Sequence, residues 1–488
     1  MLTLKNATIA SSLHFINQLV RRMIGIVSLI ILARVLTPED FGLVAIALIF
    51  MNFVTVVTEF GGPSYLLSRE KINDQQVLSN WTLTFLIYNS VAVMLAISSV
   101  FIANYYEDPR LTPIILVFSL QIFVSSLASP GVIYLHKHQK LGALTRWQIA
   151  SRFVTTAITI AIAVIYKTYW ALVIGQFLVT LSSCIAGYVV APLKPRFTLV
   201  NVKEQWEFSK WLMPQSLVNF FRNQIDAIWV STMFDKAIMG AYNSMRYYAM
   251  IPATLFVQPI MNVTLAQFSE FKNNAVYFAK QMQVTFFALT IIASPIIYLM
   301  IKHDAIIVKI ILGDKWVEYS ALLSTFSWLV FLNVINRILG QIAMLKDKTK
   351  LLLHYSIACV IAQVLLFTIV DFEDIYQLAQ YKILTDVLLA GLFYVFIISR
   401  LLSLQSLWLI SQPILISIGL IYVASLYDMI VPRMEHELID FFVQCLAFAV
   451  AYGTTMLITM YLLKDKVYCF RYIFDKFNLV LKKIGIAQ

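Results

Sequence analysis

The chain has 488 residues, 60% of them hydrophobic, and a mean hydropathy of +0.79. These values exclude a soluble globule and fit a polytopic membrane protein. The formal net charge of +11 invites a nucleic-acid reading, but most basic residues lie in the connections between apolar segments and in the tail, so no nucleic-acid partner is expected.

A span needs about 20 mostly apolar residues to cross roughly 30 Å of hydrocarbon. Fourteen such helices are predicted, near 7–34, 38–60, 77–105, 113–135, 144–166, 170–190, 211–234, 237–268, 279–301, 317–345, 351–370, 378–398, 407–426 and 438–463. The first carries Arg21 and Arg22 near its middle and no small-residue cleavage site, so it is not a removable signal peptide. With the N-terminus in the cytoplasm, the even-numbered connections and both tails face inward. They hold Lys137, Lys140, Lys194, Arg196, Lys203, Lys346, Lys348 and the tail lysines, whereas the outward connections hold few basic residues. That is the positive-inside bias of an inner-type membrane protein with both termini cytoplasmic.

The first joint, Leu36-Thr37-Pro38-Glu39-Asp40-Phe41-Gly42, returns as Phe234-Asp235-Lys236-Ala237-Ile238-Met239-Gly240, with Thr37 on Asp235 at an offset of 198. Thr37 as N-cap, Pro38 at the first helical position and Asp40 at capping-box spacing mark a helix start. This structural role is set against an acidic catalytic motif at Glu39 and Asp40. A second joint, Leu135 to Leu141, returns as Leu345 to Leu351 at offset 210. Two six-helix lobes follow, 1–190 and 211–400, joined by a cytoplasmic linker at 191–210 that holds Pro192 and Pro195. Six is even, so both repeats enter the membrane in one orientation and their pseudo-twofold runs along the membrane normal. Residues 401–463 add helices 13 and 14. The basic tail, 464–488, spaces Val467, Phe470, Phe474, Phe477 and Leu481 as one apolar stripe, as in a helix on an anionic inner leaflet.

A charge at the bilayer centre costs roughly 2.5–3.5 kcal/mol even on insertion scales, so midspan arginines need a reason. Arg21, Arg22, Arg222, Arg246 and Arg337 lie well inside predicted spans, whereas Arg146, Arg152 and Lys382 lie nearer the ends, where long side chains reach the interface. His14, Asn17, Arg21 and Ser28 form one stripe, and Gln215, Asn219, Arg222 and Asp226 form another on the equivalent seventh helix. Two facing polar stripes make a cationic cavity suited to an anionic headgroup, because the guanidinium fork matches phosphate oxygens at two points. The competing reading pairs each arginine with a buried acid, but only Glu59, Asp226 and Asp386 are clear candidates within spans. Asp226, one turn after Arg222, serves either as its internal partner or as a proton or sodium site.

Cys184, Cys359 and Cys445 lie in spans and Cys469 in the tail, giving neither a disulfide framework nor a zinc spacing. The sequence also shows no phosphate-loop pattern, paired-histidine motif or nucleophile elbow. No cofactor and no enzyme activity are expected, and transport would be driven by an ion gradient, the membrane potential or substrate supply.

The run Leu32-Ala33-Arg34-Val35-Leu36-Thr37-Pro38-Glu39-Asp40-Phe41-Gly42 resembles the first outward joint of Wzx-type polysaccharide flippases. Glu59-Phe60-Gly61-Gly62, Ala171-Leu172-Val173 and Phe208-Ser209-Lys210 are similar to that family too, in the same order, with the colanic-acid-exporter branch the nearest in kind. The resemblance implies the multidrug/oligosaccharidyl-lipid/polysaccharide exporter fold. It implies as substrate an undecaprenyl-pyrophosphate-linked glycan, moved from the cytoplasmic to the periplasmic leaflet for surface polysaccharide (lipopolysaccharide or exopolysaccharide), with other polysaccharide assembly proteins as partners. The alternatives are a drug or cation antiporter of the same superfamily, which a cationic cavity disfavours, and a membrane polymerase or glycosyltransferase, which would need a large outward loop with catalytic acids.

Overall fold

The computed structural model describes residues 4–484 apart from 59–60, 201, 211, 262–263, 265–267, 269–273 and 403, with backbone alone for 4–19, 209, 212, 275, 404, 428 and 477–484. The side chains of His14, Asn17, Ser209, Phe477 and Leu481, and both Glu59 and Phe60, therefore lie outside the described residues. Everything regular among the described residues is helical. Among the described residues ten helices are long and apolar enough to cross a membrane. Their outward faces stay apolar, with Phe101, Ile165, Leu392 and Tyr422 exposed, as hydrocarbon rather than water requires.

By Cα proximity the chain divides into two compact units, Met1–Asn243 and Ser244–Gln488. The first unit holds α1 (Leu4–Val35), α2 (Pro38–Thr58), α3 (Gly62–Ser68), α4 (Asp74–Tyr105), α5 (Leu111–Ser126), α6 (Val132–Lys137), α7 (Gly142–Tyr166), α8 (Trp170–Val190), α9 (Val202–Ser209), α10 (Leu212–Met233) and the start of α11 (Lys236–Pro252). The span expected over 113–135 is broken in two, because Pro130 ends one helical register and α6 begins after it. The 191–210 linker is extended and then helical, and it is strapped down. Thr198 N–H donates to Thr82 Oγ1 at 3.1 Å, Phe197 packs against Trp81 and Phe85, and Glu204 pairs with Arg69 at 2.7 Å.

The two copies of the first joint start their helices alike. Thr37 Oγ1 accepts from the Asp40 N–H at 3.3 Å while Asp40 Oδ2 accepts from the Thr37 N–H at 3.0 Å, a reciprocal capping box. Asp235 Oδ1 accepts from the Ile238 N–H at 2.8 Å. The joints also meet each other. A Cβ on Gly42 would lie 2.6 Å from the Lys236 carbonyl carbon, and one on Gly240 would lie 2.9 Å from that of Pro38. At the 198-residue offset Pro38 corresponds to Lys236 and Gly42 to Gly240, so the contact is reciprocal, as a local twofold demands.

The second joint needs a correction. Gln139 and Asp347 are both left-handed, at φ 54°. Lys140 N–H donates to the Leu135 carbonyl at 2.9 Å, and Lys348 N–H to the Ala343 carbonyl at 2.8 Å. Both turns are Schellman endings, and they superpose Gln139 on Asp347 at offset 208, not 210. Turn geometry fixes the register where lysine-rich composition left two residues of play.

The second unit continues α11 and holds α12 (Ala275–Lys302), α13 (Asp304–Leu312), α14 (Ser320–Leu345), α15 (Thr349–Ile369), α16 (Ile375–Leu401), α17 (Leu404–Ser425), α18 (Glu437–Leu462) and α19 (Tyr468–Ile484). Pro252 lacks the N–H that α-helical bonding needs, and the backbone passes into a π turn at Ala253–Val257. Helices α12, α14, α16 and α17 close a core around Phe286, Leu289, Val334, Ile338, Ile397 and Ile410. The tail stripe turns first toward protein: Val467 and Phe470 are buried beside Phe287 and Met460, with Phe474 packed on them. Cys469 is buried there too, and burial pushes its thiol up to about 12, an inert residue at neutral pH.

Candidate functional site

Helix α1 presents Arg21, Gly25, Ser28 and Leu32 at intervals of four, three and four, one continuous stripe. Helix α7 lies along it. Arg21 Nη1 donates to Gln148 Oε1 at 2.7 Å, and a Cβ on Gly25 would stand 3.2 Å from Arg152 Nη2. Gln148 follows Arg21 by 127 residues and Arg152 follows Gly25 by the same 127, so the two helices run parallel. Spans an even number of steps apart in the chain run parallel, as the predicted order of spans one and five requires.

The result is a cluster of cations. Arg22 and Arg152 both lie close enough to repel Arg21 electrostatically. Arg21 Nε is buried with no hydrogen-bond partner among the described residues. Its one side-chain acceptor in view, Gln148, is neutral. Arg152 was expected to snorkel with Arg146. Only Arg146 is exposed; Arg152 is half-buried and lies against the α1 backbone, which Gly25 leaves open by lacking a side chain.

The other expected site residues fall in separate settings. Arg222 lies about midway along α10, half-buried, and Asp226 one turn later is fully buried. Asp226 Oδ2 accepts from the Tyr242 hydroxyl at 2.9 Å. In the second unit Arg246 lies midway along α11, and Arg337 Nε on α14 donates to Asn333 Oδ1 at 2.8 Å. Lys382, also expected to reach the interface, is instead buried and pairs with Asp386 at 3.1 Å, whose other oxygen accepts from Gln363 Nε2 at 2.8 Å. That i,i+4 pair leaves Asp386 engaged and makes Lys382 a structural cation.

A second polar cluster, one sequence reading passed over, surrounds the paired joints. Asp108 is 3% exposed. It accepts from Arg110 Nη2 at 2.8 Å and from Lys236 Nζ at 2.6 Å, and Arg110 continues to Glu39 at 2.7 Å. Burial alone would raise the Asp108 pKa; the hydrogen bonds from Arg110 and Lys236 outweigh it and hold the carboxyl well below the usual carboxylate range. Beside it lies an open cavity of about 710 Å3 lined by Glu39, Tyr105, Tyr106, Glu107, Ser231, Asp235 and Lys236. Glu39 and Asp40 are thus engaged in an ion pair and a helix cap. No group of His, Cys, Asp and Glu side chains able to hold a metal occurs among the described residues.

Comparison with known proteins gives this arrangement its relatives. A family profile described as "Polysaccharide biosynthesis protein" matches residues 31–321. The lipopolysaccharide biosynthesis protein WzxC of Escherichia coli (strain K12) is 20% identical over 349 residues, 68% of this chain and 69% of its own. The succinoglycan biosynthesis transport protein ExoT of Rhizobium meliloti (strain 1021) is 22% identical over 288 residues, 59% of this chain and 58% of its own. The teichuronic acid biosynthesis protein TuaB of Bacillus subtilis (strain 168) is 22% identical over 312 residues, 62% of this chain and 64% of its own. In fold the chain is similar to the lipid II flippase MurJ in an inward closed conformation, with a TM-score of 0.75 at 15% identity, covering 93% of this chain and 99% of that one. A multidrug resistance MATE transporter of the MOP superfamily matches at a TM-score of 0.59 and 12% identity, covering 80% and 95%. The architecture is that of an all-α, multi-pass integral membrane protein.

Proposed function

We propose a specific transport function for this chain, which belongs to the polysaccharide biosynthesis protein family and is similar to the Wzx-type flippases. It translocates a polyprenyl-pyrophosphate-linked oligosaccharide, with undecaprenol as the lipid, from the cytoplasmic to the periplasmic leaflet of the bacterial inner membrane. Fourteen crossings, in lobes of residues 1–190 and 211–400, rock about the substrate to give alternating access. The diphosphate engages Arg21, Arg22, Arg222, Arg246 and Arg337, while the lipid tail stays in the bilayer.

The observation that carries this reading is the arginine cluster on α1 and α7. Among the described residues Arg21 takes a neutral amide as its side-chain partner and keeps a buried Nε without an acceptor, in a segment where an uncompensated charge is costly. A diphosphate supplies the missing negative charge and the two-point acceptor geometry. An inside-negative potential favours outward passage of such an anion by about 2.3 kcal/mol per charge per 100 mV, so it could suffice without a coupling ion. A cation antiporter of the same superfamily would load its substrate against this field.

The test is complementation of a flippase-null strain by Arg22→Ala and Arg222→Ala and the matching Lys variants, at matched protein levels. Both Ala variants are expected to lose surface polysaccharide export and Lys to rescue only in part, because it lacks the fork. Normal export by both Ala variants would end the anion-site reading. Topology has its own check. Cysteines introduced into the 191–210 linker are expected to resist an impermeant reagent on intact cells. Labelling from outside would reverse the lobe assignment and put both termini in the periplasm.

A further inference from the structure

We propose that Arg152 is a ligand of the transported anion and that Gln148 is the positioning residue that holds Arg21 beside it, the two forming with Arg21 a diphosphate subsite on α1 and α7. The inference rests on the anionic-substrate reading above and adds to it Arg152, which sequence position assigned to the membrane interface, and Gln148. Three observations converge. Arg152 lies against α1 where Gly25 opens the backbone, its Nη2 at 3.2 Å from the position a Cβ would take. Its charge lies close enough to Arg21 to repel it. Arg21, fixed by Gln148 through one nitrogen, has a second nitrogen buried and without a hydrogen-bond partner among the described residues.

Comparison within the chain sharpens the point. Where a cation of this protein is packed for structure, a carboxylate meets it, as Asp386 meets the buried Lys382 and Asp108 meets the partly buried Lys236. At Arg21 the corresponding position one turn before Arg152 is filled by glutamine, the neutral isostere of glutamate. Glutamate there would cancel one of the cluster's three positive charges and stabilise it. Glutamine sets Arg21 in place and leaves the positive charge unspent for a ligand carrying two or more negative charges. A single phosphate satisfies one fork; a diphosphate reaches two guanidinium groups on adjacent helices at once.

The test uses the purified full-length protein in nanodiscs of neutral lipid, with inorganic pyrophosphate, inorganic phosphate and geranyl diphosphate as probes. Arg152→Gln and Gln148→Glu are each expected to weaken binding of both diphosphates at least tenfold. Arg152→Lys should weaken it a few-fold, and Gly25→Ala, which displaces the guanidinium, should fall between. Exposed Arg146→Gln serves as the control that leaves binding unchanged. Gln148→Glu is also expected to raise the melting temperature, which separates loss of the site from loss of the fold. Diphosphate binding by Arg152→Gln equal to wild type would overturn the subsite while leaving the wider anion reading intact. Wild-type protein that binds neither diphosphate would overturn that reading itself. Equal displacement of pyrophosphate by soluble glycerol phosphate would make the site one for ordinary lipid headgroups and so refute its assignment to substrate.

Discussion

Gly42→Ala and Gly240→Ala are each expected to cost at least about 3 kcal/mol, the upper end of the overpacking range, and to remove most of the protein from the membrane fraction. The size of the effect follows from what the added methyl meets. On Gly42 it enters the Lys236 carbonyl group and on Gly240 that of Pro38, and neither is a side chain that can turn away. Both carbonyls belong to the first residue of a helix that a cap holds in place, so relief requires moving a whole helix start. Gly340 and Gly391 give the comparison, since open space surrounds the position of a Cβ on either. Alanine at those helical sites is expected to be neutral or to stabilise by about 0.5–1 kcal/mol through helix propensity. Melting curves in detergent and blots of membrane fractions read both. Equal behaviour of Gly42→Ala and Gly340→Ala would mean that the joints are not in backbone contact.

These joints also mark the boundary of what the sequence discloses. The Thr37 and Asp235 caps were legible because capping is local: an oxygen, a turn of backbone and a donor three residues on. That the two glycines touch each other was not, because nothing within either joint says what packs on it. The break before α6 was signalled by Ser129-Pro130-Gly131, and an unbroken apolar count concealed it. The Lys382–Asp386 pair was available from i,i+4 spacing alone. Arg152 was harder. Its distance from the helix end matched a snorkelling residue, and only the packing of α7 on α1 shows that this face turns inward, with Gly25 as the local reason. The offset of the second joint failed for another cause: Leu135, Lys140 and Leu141 match Leu345, Lys350 and Leu351 at 210, and only the left-handed turn residues Gln139 and Asp347 show the register to be 208.

Asp108 carries the other large effect, and nothing near it in sequence announced one. Asp108→Asn is expected to destabilise the protein by about 2–3 kcal/mol, below the 3–5 kcal/mol typical of breaking a fully buried pair. The discount applies because its partners are only partly buried: Arg110 and Lys236 side chains are 42% and 26% exposed, so each recovers some hydration once the carboxylate is gone. The pH dependence has a definite sign. The folded pKa is depressed, so the stabilisation is fully present above the unfolded value of about 3.9 and is lost only as the pH falls through the lower folded value. Melting temperature between pH 5 and 8 should therefore be insensitive to this group in the wild type, and the difference between wild type and Asp108→Asn should stay constant over that window. Charge reversal tests the pairing itself. Lys236→Glu should be more damaging than Lys236→Gln, and Asp108→Lys combined with Lys236→Glu should recover part of the loss that either reversal causes alone. No recovery, together with a mild Asp108→Asn, would show that the carboxylate is solvated and that the paired joints are held by their glycine contact alone.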